Sequence, residues 1–187
     1  MAIKTFTTGE VLTASDTNTY LANAGLVYVK SQTIGTGVSS VTVSDAFSAT
    51  YDSYQIVIDG TLGSAAGAAM QFRCVTSGGA DNASNWRGNG FYVQSGVSGG
   101  LTNDFYTSSI FGYCGGFSTA AGGMIFTVQG PYTASNTNIN FTMADNQYLR
   151  ISASCLDNTT SYTAFKLTPN SGTFTGGTIT VYGYRKA

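Results

Sequence analysis

An acid and a base converging on one bond can hydrolyse a glycoside, so paired carboxylates are the first chemistry to look for. The candidates are Asp45, Asp52, Asp81, Asp104, Asp145 and Asp157. Asp81 and Asp104, in long polar loops, form the most plausible pair. Most of the six sit beside turn residues, as in Ser44-Asp45, Asp52-Ser53, Asp145-Asn146 and Asp157-Asn158. Aspartate in a turn hydrogen-bonds its own backbone, which accounts for most of them without catalysis. The chain has no histidine. That removes the usual general base and the commonest metal ligand, and it excludes a Ser-His-Asp or Cys-His site within the chain.

Cys74, Cys114 and Cys155 lie far apart in sequence, which disfavours a structural zinc site. Cys74 alternates with Met70 and Phe72, and Cys155 with Leu149, Ile151 and Ala153. Both are expected as reduced thiols on apolar strand faces, packed as small hydrophobes; an odd count without close spacing is weak support for a disulfide. Gly96-Val97-Ser98-Gly99-Gly100 lacks the Lys-Ser/Thr ending of a phosphate-binding loop. No loop has the ligand order of a calcium-binding EF-hand. No cofactor is expected. The sequons at Asn82, Asn140 and Asn158 are what a chain rich in Asn, Ser and Thr contains by chance.

Trp86, the only tryptophan, stands next to Arg87 and between Asn85 and Asn89, with Phe91 and Tyr92 following. Aromatic and guanidinium groups among amides suit a surface recognition patch, for which Trp86, Arg87 and Tyr92 are the candidates. The other reading makes Trp86 a plug at one end of a sandwich core; large aromatics are usually mostly buried, which favours the plug.

The elements that must position these groups are almost all strands. The chain has 187 residues, 42% hydrophobic and only 9% charged, with a net charge of −1. That length suits one domain with a small appendage. Without a basic run there is no phosphate-tracking surface, so nucleic acid is not expected as a partner. No apolar run approaches the ~18 residues of a membrane span, and no apolar segment follows Met1-Ala2-Ile3-Lys4 as in a secretory signal. Synthesis in a cytoplasm without membrane insertion is the expectation.

Thr13 is a helix N-cap with Asp16 three residues on. A helix is expected over about residues 14–24, with Gly25 as its stop. Its apolar stripe is thin, so it must pack on something larger. From Leu26 onward the period is two: Tyr54/Ile56/Ile58, Met124/Phe126/Val128, Ile139/Phe141/Met143 and Ile179/Val181/Gly183 alternate with mostly polar neighbours. Strands with one buried face follow. Further strands are expected near Val27–Ile34, Val38–Val43, Ala68–Val75, Gly90–Gln94, Tyr106–Tyr113, Leu149–Cys155 and Tyr162–Leu167. Short strands between Gly, Ser, Asn and Asp turns, without intervening helices, predict an all-β antiparallel β-sandwich, with a jelly roll as first choice. The expected division is an anchoring arm with a short helix over residues 1–26 and a β-sandwich domain over 27–187. The loops 76–90 and 95–104 are expected to carry any binding function.

The opening Phe6-Thr7-Thr8-Gly9-Glu10-Val11-Leu12-Thr13-Ala14-Ser15-Asp16-Thr17-Asn18-Thr19-Tyr20-Leu21 resembles the start of small tail and tail-fibre-type structural proteins of bacteriophages, where a GEVLTA-x-D-x-N phrase leads into a short helix. The closing Phe174-Thr175-Gly176-Gly177-Thr178-Ile179-Thr180-Val181-Tyr182-Gly183-Tyr184-Arg185 is similar to their last strand. The resemblance implies a non-enzymatic virion protein, commonly a homotrimer. Its partners would be other tail or capsid proteins and, on the outward side, host surface glycans. Phe6, Val11, Leu12, Tyr20 and Leu21 are the apolar residues of the arm that would make the assembly contacts. Unlike a long fibre, the chain has no heptad or collagen-like shaft. A capsid decoration or head-fibre protein fits the same features. A carbohydrate-active jelly-roll enzyme is the reading from another class.

Overall fold

The computed structural model describes residues 5–17, 25–61, 63–65, 68, 70–80, 85–94, 102–108, 122–144 and 148–186. Tyr20, Leu21, Asp81, Cys114 and Asp145 lie outside these residues, as do the side chains of Tyr92 and Asp104.

Among the described residues, twelve strands follow one short helix, α1 (Ala14–Asp16): β1 (Leu26–Thr33), β2 (Val41–Val43), β3 (Tyr51–Thr61), β4 (Met70–Thr76), β5 (Gly79–Ala80), β6 (Trp86–Gln94), β7 (Thr102–Ser108), β8 (Gly122–Gln129), β9 (Thr137–Ala144), β10 (Tyr148–Leu156), β11 (Ala164–Pro169) and β12 (Thr178–Arg185). They form an eight-stranded sheet, β1-β12-β3-β8-β9-β10-β6-β7, and a four-stranded sheet, β2-β11-β4-β5. Every pairing is antiparallel. The expected antiparallel sandwich is what the chain forms.

The strand order is that of a jelly roll with an extension. β1 pairs with β12, β2 with β11, β3 with β8 and β4 with β5. These nested pairs set β1-β12-β3-β8 in one sheet and β2-β11-β4-β5 in the other, as in an eight-stranded jelly roll. The remaining four strands, β9-β10-β6-β7, widen the first sheet beyond β8.

The period-two residues build the core. Tyr54, Ile56, Ile58, Phe126, Val128, Ile179 and Val181 are fully buried, and Met124, Ile139, Phe141 and Met143 nearly so. An aromatic chain links the sheets: Phe165 stacks on Phe72 at 5.2 Å, Phe72 meets Phe126 at 5.3 Å, and Phe126 meets Phe141 at 4.9 Å. Each such ring contributes roughly 2–3 kcal/mol by leaving water. The Tyr54 hydroxyl donates to Ser48 O at 2.9 Å and accepts from Ser48 N–H at 2.7 Å, tying the loop before β3 to the core.

Two expectations change on the widened part of the sheet. The stretch Trp86–Gly90, read as loop, is the first half of β6. Its glycines hid it, because glycine is depleted in strands. Their reason is steric: a Cβ on Gly88 would run into the Ser154 side chain, and one on Gly90 would lie 2.5 Å from Ser152 Cβ. Strand β10 also faces the opposite way to its apolar pattern. Ser152 and Ser154 point inward, 9% and 7% exposed, while Leu149 and Ile151 are 47% and 40% exposed. The tight approach to β6 leaves room inside only for small side chains. Cys155 therefore lies half-buried on the outer face and is no core thiol, whereas Cys74 is fully buried, as expected.

Candidate functional site

The outer face of the large sheet over β8, β9, β10 and β6 is organised by register. Gln129 lies opposite Asn138, Asn138 opposite Cys155, and Cys155 opposite Arg87. One step along the strands, Thr127, Asn140 and Ala153 form the next row. A further step brings Ile125, Thr142, Ile151 and Phe91 into line, and beyond them Leu149 opposes Val93. The face is thus polar at one end and apolar at the other.

A shallow groove of about 410 Å³ occupies the polar end, lined by Arg87, Gln129, Asn138, Asn140, Ala153, Ser154 and Cys155. The small outward side chains of β10, Ala153 and Cys155, lie between longer ones on β6, β8 and β9, while Ser154 points inward. Arg87 is held from below the sheet end: its Nε donates to Asp157 Oδ2 at 3.2 Å. The other carboxylate oxygen accepts from Asn136 Nδ2 at 3.3 Å. The pair is exposed, with Arg87 at 72% and Asp157 at 47%, so it contributes orientation more than stability. Among the described residues, the side-chain amides of Gln129, Asn138 and Asn140 are not committed to other hydrogen bonds. Burial pushes the Cys155 thiol above its ordinary value, and the Asp157 carboxylate adds to this. Asn136 and Arg87 pull the other way.

The recognition candidates separate. Arg87 lies in the groove. Trp86 is 1% exposed and packs inside, opposite Leu156. It is the core plug, and a buried ring cannot offer its face to a ligand, which corrects its reading as a surface contact. Tyr92 contributes backbone to β6, opposite Arg150. Sequence reasoning missed Asn138, Asn140 and Gln129. Their only signal was alternation with Ile139 and Val128, which marks an outward face but gives it no purpose.

The carboxylates have structural roles where they are described. Asp157 anchors Arg87, and Asp52 pairs with Lys186 at 2.7 Å. Asp45 occupies a left-handed turn position, φ 51°, which Asp tolerates better than most residues. No described group of three or more His, Cys, Asp or Glu residues is placed to hold a metal ion.

The second candidate site is the N-terminal arm. Residues 5–17 are built from two consecutive capped turns. Thr7 N–H donates to Glu10 Oε2 at 3.1 Å while Glu10 N–H donates to Thr7 O at 3.0 Å. Thr13 and Asp16 form a reciprocal capping box, with Asp16 N–H to Thr13 Oγ1 at 3.1 Å and Thr13 N–H to Asp16 Oδ2 at 3.2 Å. Helix α1 buries no residue. Between the two turns Val11 is 79% exposed and Leu12 50%, and Phe6 is 40% exposed.

No protein-family model matches the chain, and no curated protein is significantly similar to it.

Proposed function

We propose that this is a non-enzymatic structural protein of a phage virion, of the tail or tail-fibre type, anchored by its N-terminal arm with its β-sandwich facing outward. The observation that carries the reading is the arm. Its two turns are each closed by their own capping hydrogen bonds, yet Val11, Leu12 and Phe6 stay at the surface. Such side chains gain roughly 2 kcal/mol each when a partner covers them. A preorganised turn loses less entropy on docking than a disordered tail does. The phrase around Glu10-Val11-Leu12 and the closing strand, β12, resemble phage tail proteins, which supplies the setting. β12 lies between β1 and β3 in the large sheet, so the closing phrase serves the body, whereas the described part of the opening phrase, residues 6–17, contributes no strand to it.

Deletion of residues 2–24 tests this. The truncated protein is expected to keep its β-sheet circular dichroism and its cooperative melt, and to be lost from purified particles. Incorporation at the normal level would refute anchoring. Copy number separates tail from shell: a few copies at one vertex against hundreds over the capsid surface, the placement of a decoration protein.

A further inference from the structure

The outer face of the widened sheet combines two features that a solvated sheet face does not require. One is a groove whose side-chain amides are left uncommitted beside an arginine already oriented by a carboxylate. The other is a contiguous apolar strip next to it: Phe91 is 45% exposed and its direct cross-strand partner Ile151 40%. The two are joined through Ala153, which lies opposite Asn140 on one side and next but one to Ile151 along β10. The aromatic ring thus begins roughly 7 Å along the strands from the amide rows.

We propose that this face binds a neutral oligosaccharide. A pyranose ring has an apolar C–H face and an edge of hydroxyl groups that both donate and accept. Phe91 supplies the flat apolar platform for the first. Asn138, Asn140 and Gln129 supply a carbonyl acceptor and an NH₂ donor each for the second, and the terminal NH₂ groups of Arg87 add donors. β8 to β6 spans three strand intervals, ~15 Å, which accommodates a short run of sugar units lying across the strands. The charge pattern selects against anionic ligands. Among the described residues, the cation lining the groove is Arg87, which Asp157 compensates, and a phosphate or sulfate chain requires clustered Lys and Arg. The groove is shallow, so a single site binds weakly and several copies on one assembly add avidity.

This inference deepens the outward-facing half of the proposed function and rests on that reading for its biological setting. Binding is measured on the purified full chain, so failure of either proposal leaves the other standing. The probes are maltohexaose, cellohexaose, chitohexaose and mannohexaose, with heparin as the anionic control, read by saturation-transfer NMR and titration calorimetry. At least one neutral hexasaccharide is expected to bind. Asn138→Ala/Asn140→Ala and, separately, Phe91→Ala are each expected to weaken it about tenfold, with thermal melts confirming the fold. Thr180→Ala, on the outer face of β12 and two strands beyond the groove's β8 side, is expected to bind as the unmodified chain does. Three results would overturn the proposal: no neutral sugar binds, heparin alone binds, or the double variant binds with unchanged affinity.

Discussion

At Cys155 the thiol sits on the outer face between Asn138 and Arg87, with Asp157 two residues on. Burial raises its pKa first, and the nearby carboxylate raises it further. The protonated thiol is neutral, so the fold favours the protonated form. The resulting stabilisation is complete below the ordinary value of 9.0 and is lost as pH climbs through the raised one. The thiolate is the nucleophile, so Cys155 is expected to react slowly with iodoacetamide near neutrality. Asp157→Asn removes one raising cause and leaves Arg87 lowering the pKa, so alkylation at pH 8 should accelerate severalfold. Mass spectrometry of timed samples, with Cys155→Ser to separate the other thiols, reads that rate. An unchanged rate would show that Asp157 does not reach the thiol electrostatically.

Strands β6 and β10 approach more closely on their inner face than an ordinary antiparallel pair. Directly opposite Cβ atoms usually lie about 4.5–5.5 Å apart, whereas a Cβ on Gly88 would lie 2.8 Å from that of Ser154. The crease lets β6 and β7 extend the sheet beyond the jelly roll. It also has a cost, since the hydroxyls of Ser152 and Ser154, opposite Gly90 and Gly88, are buried without a hydrogen-bond partner. Gly88→Ala is expected to destabilise the protein by about 1–3 kcal/mol through overpacking. Ser154→Ala is expected to be neutral or stabilising, because it removes an unsatisfied hydroxyl and little volume. Adding Ser154→Gly to Gly88→Ala should recover part of the loss, the Ala153 carbonyl 2.9 Å away limiting the rest. Urea denaturation midpoints measure all three. A Gly88→Ala protein as stable as the unmodified chain would show that the strands can move apart at no cost.

The whole molecule places two unlike surfaces on one body. β1, the first strand after the arm in the chain, forms one edge of the large sheet, whereas the groove lies over β8 to β6, toward the other edge. The homotrimer implied by the phage resemblance gives a definite expectation. Light scattering of the full chain should return the mass of three 19.4 kDa subunits, and the residue 2–24 deletion should return a smaller assembly if the arm also holds sibling subunits together. A monomeric full chain would remove the trimer and with it any avidity from sibling sites in the free protein.

Alternation of apolar and polar side chains in Tyr54–Ile58, Met124–Val128, Ile139–Met143 and Ile179–Gly183 determined by itself that these segments are strands and which face is buried. That information is local: period two follows from the geometry of a single strand. The Thr13–Asp16 cap was legible for the same reason, as its partners are three residues apart. In β10 the local pattern pointed the wrong way. Its apolar residues face solvent because Gly88 and Gly90, more than sixty residues earlier, come too close to tolerate anything larger than serine. Arg87 and Asp157, 70 residues apart, meet only because β6 pairs with β10. The groove has no sequence signature of its own, since its amides, divided between β8 and β9, are ordinary surface residues until pairing aligns them with Arg87 on β6. Strand character and face are properties of neighbours along the chain; register, crease and groove come from pairing between distant segments, and only the tertiary structure decided those.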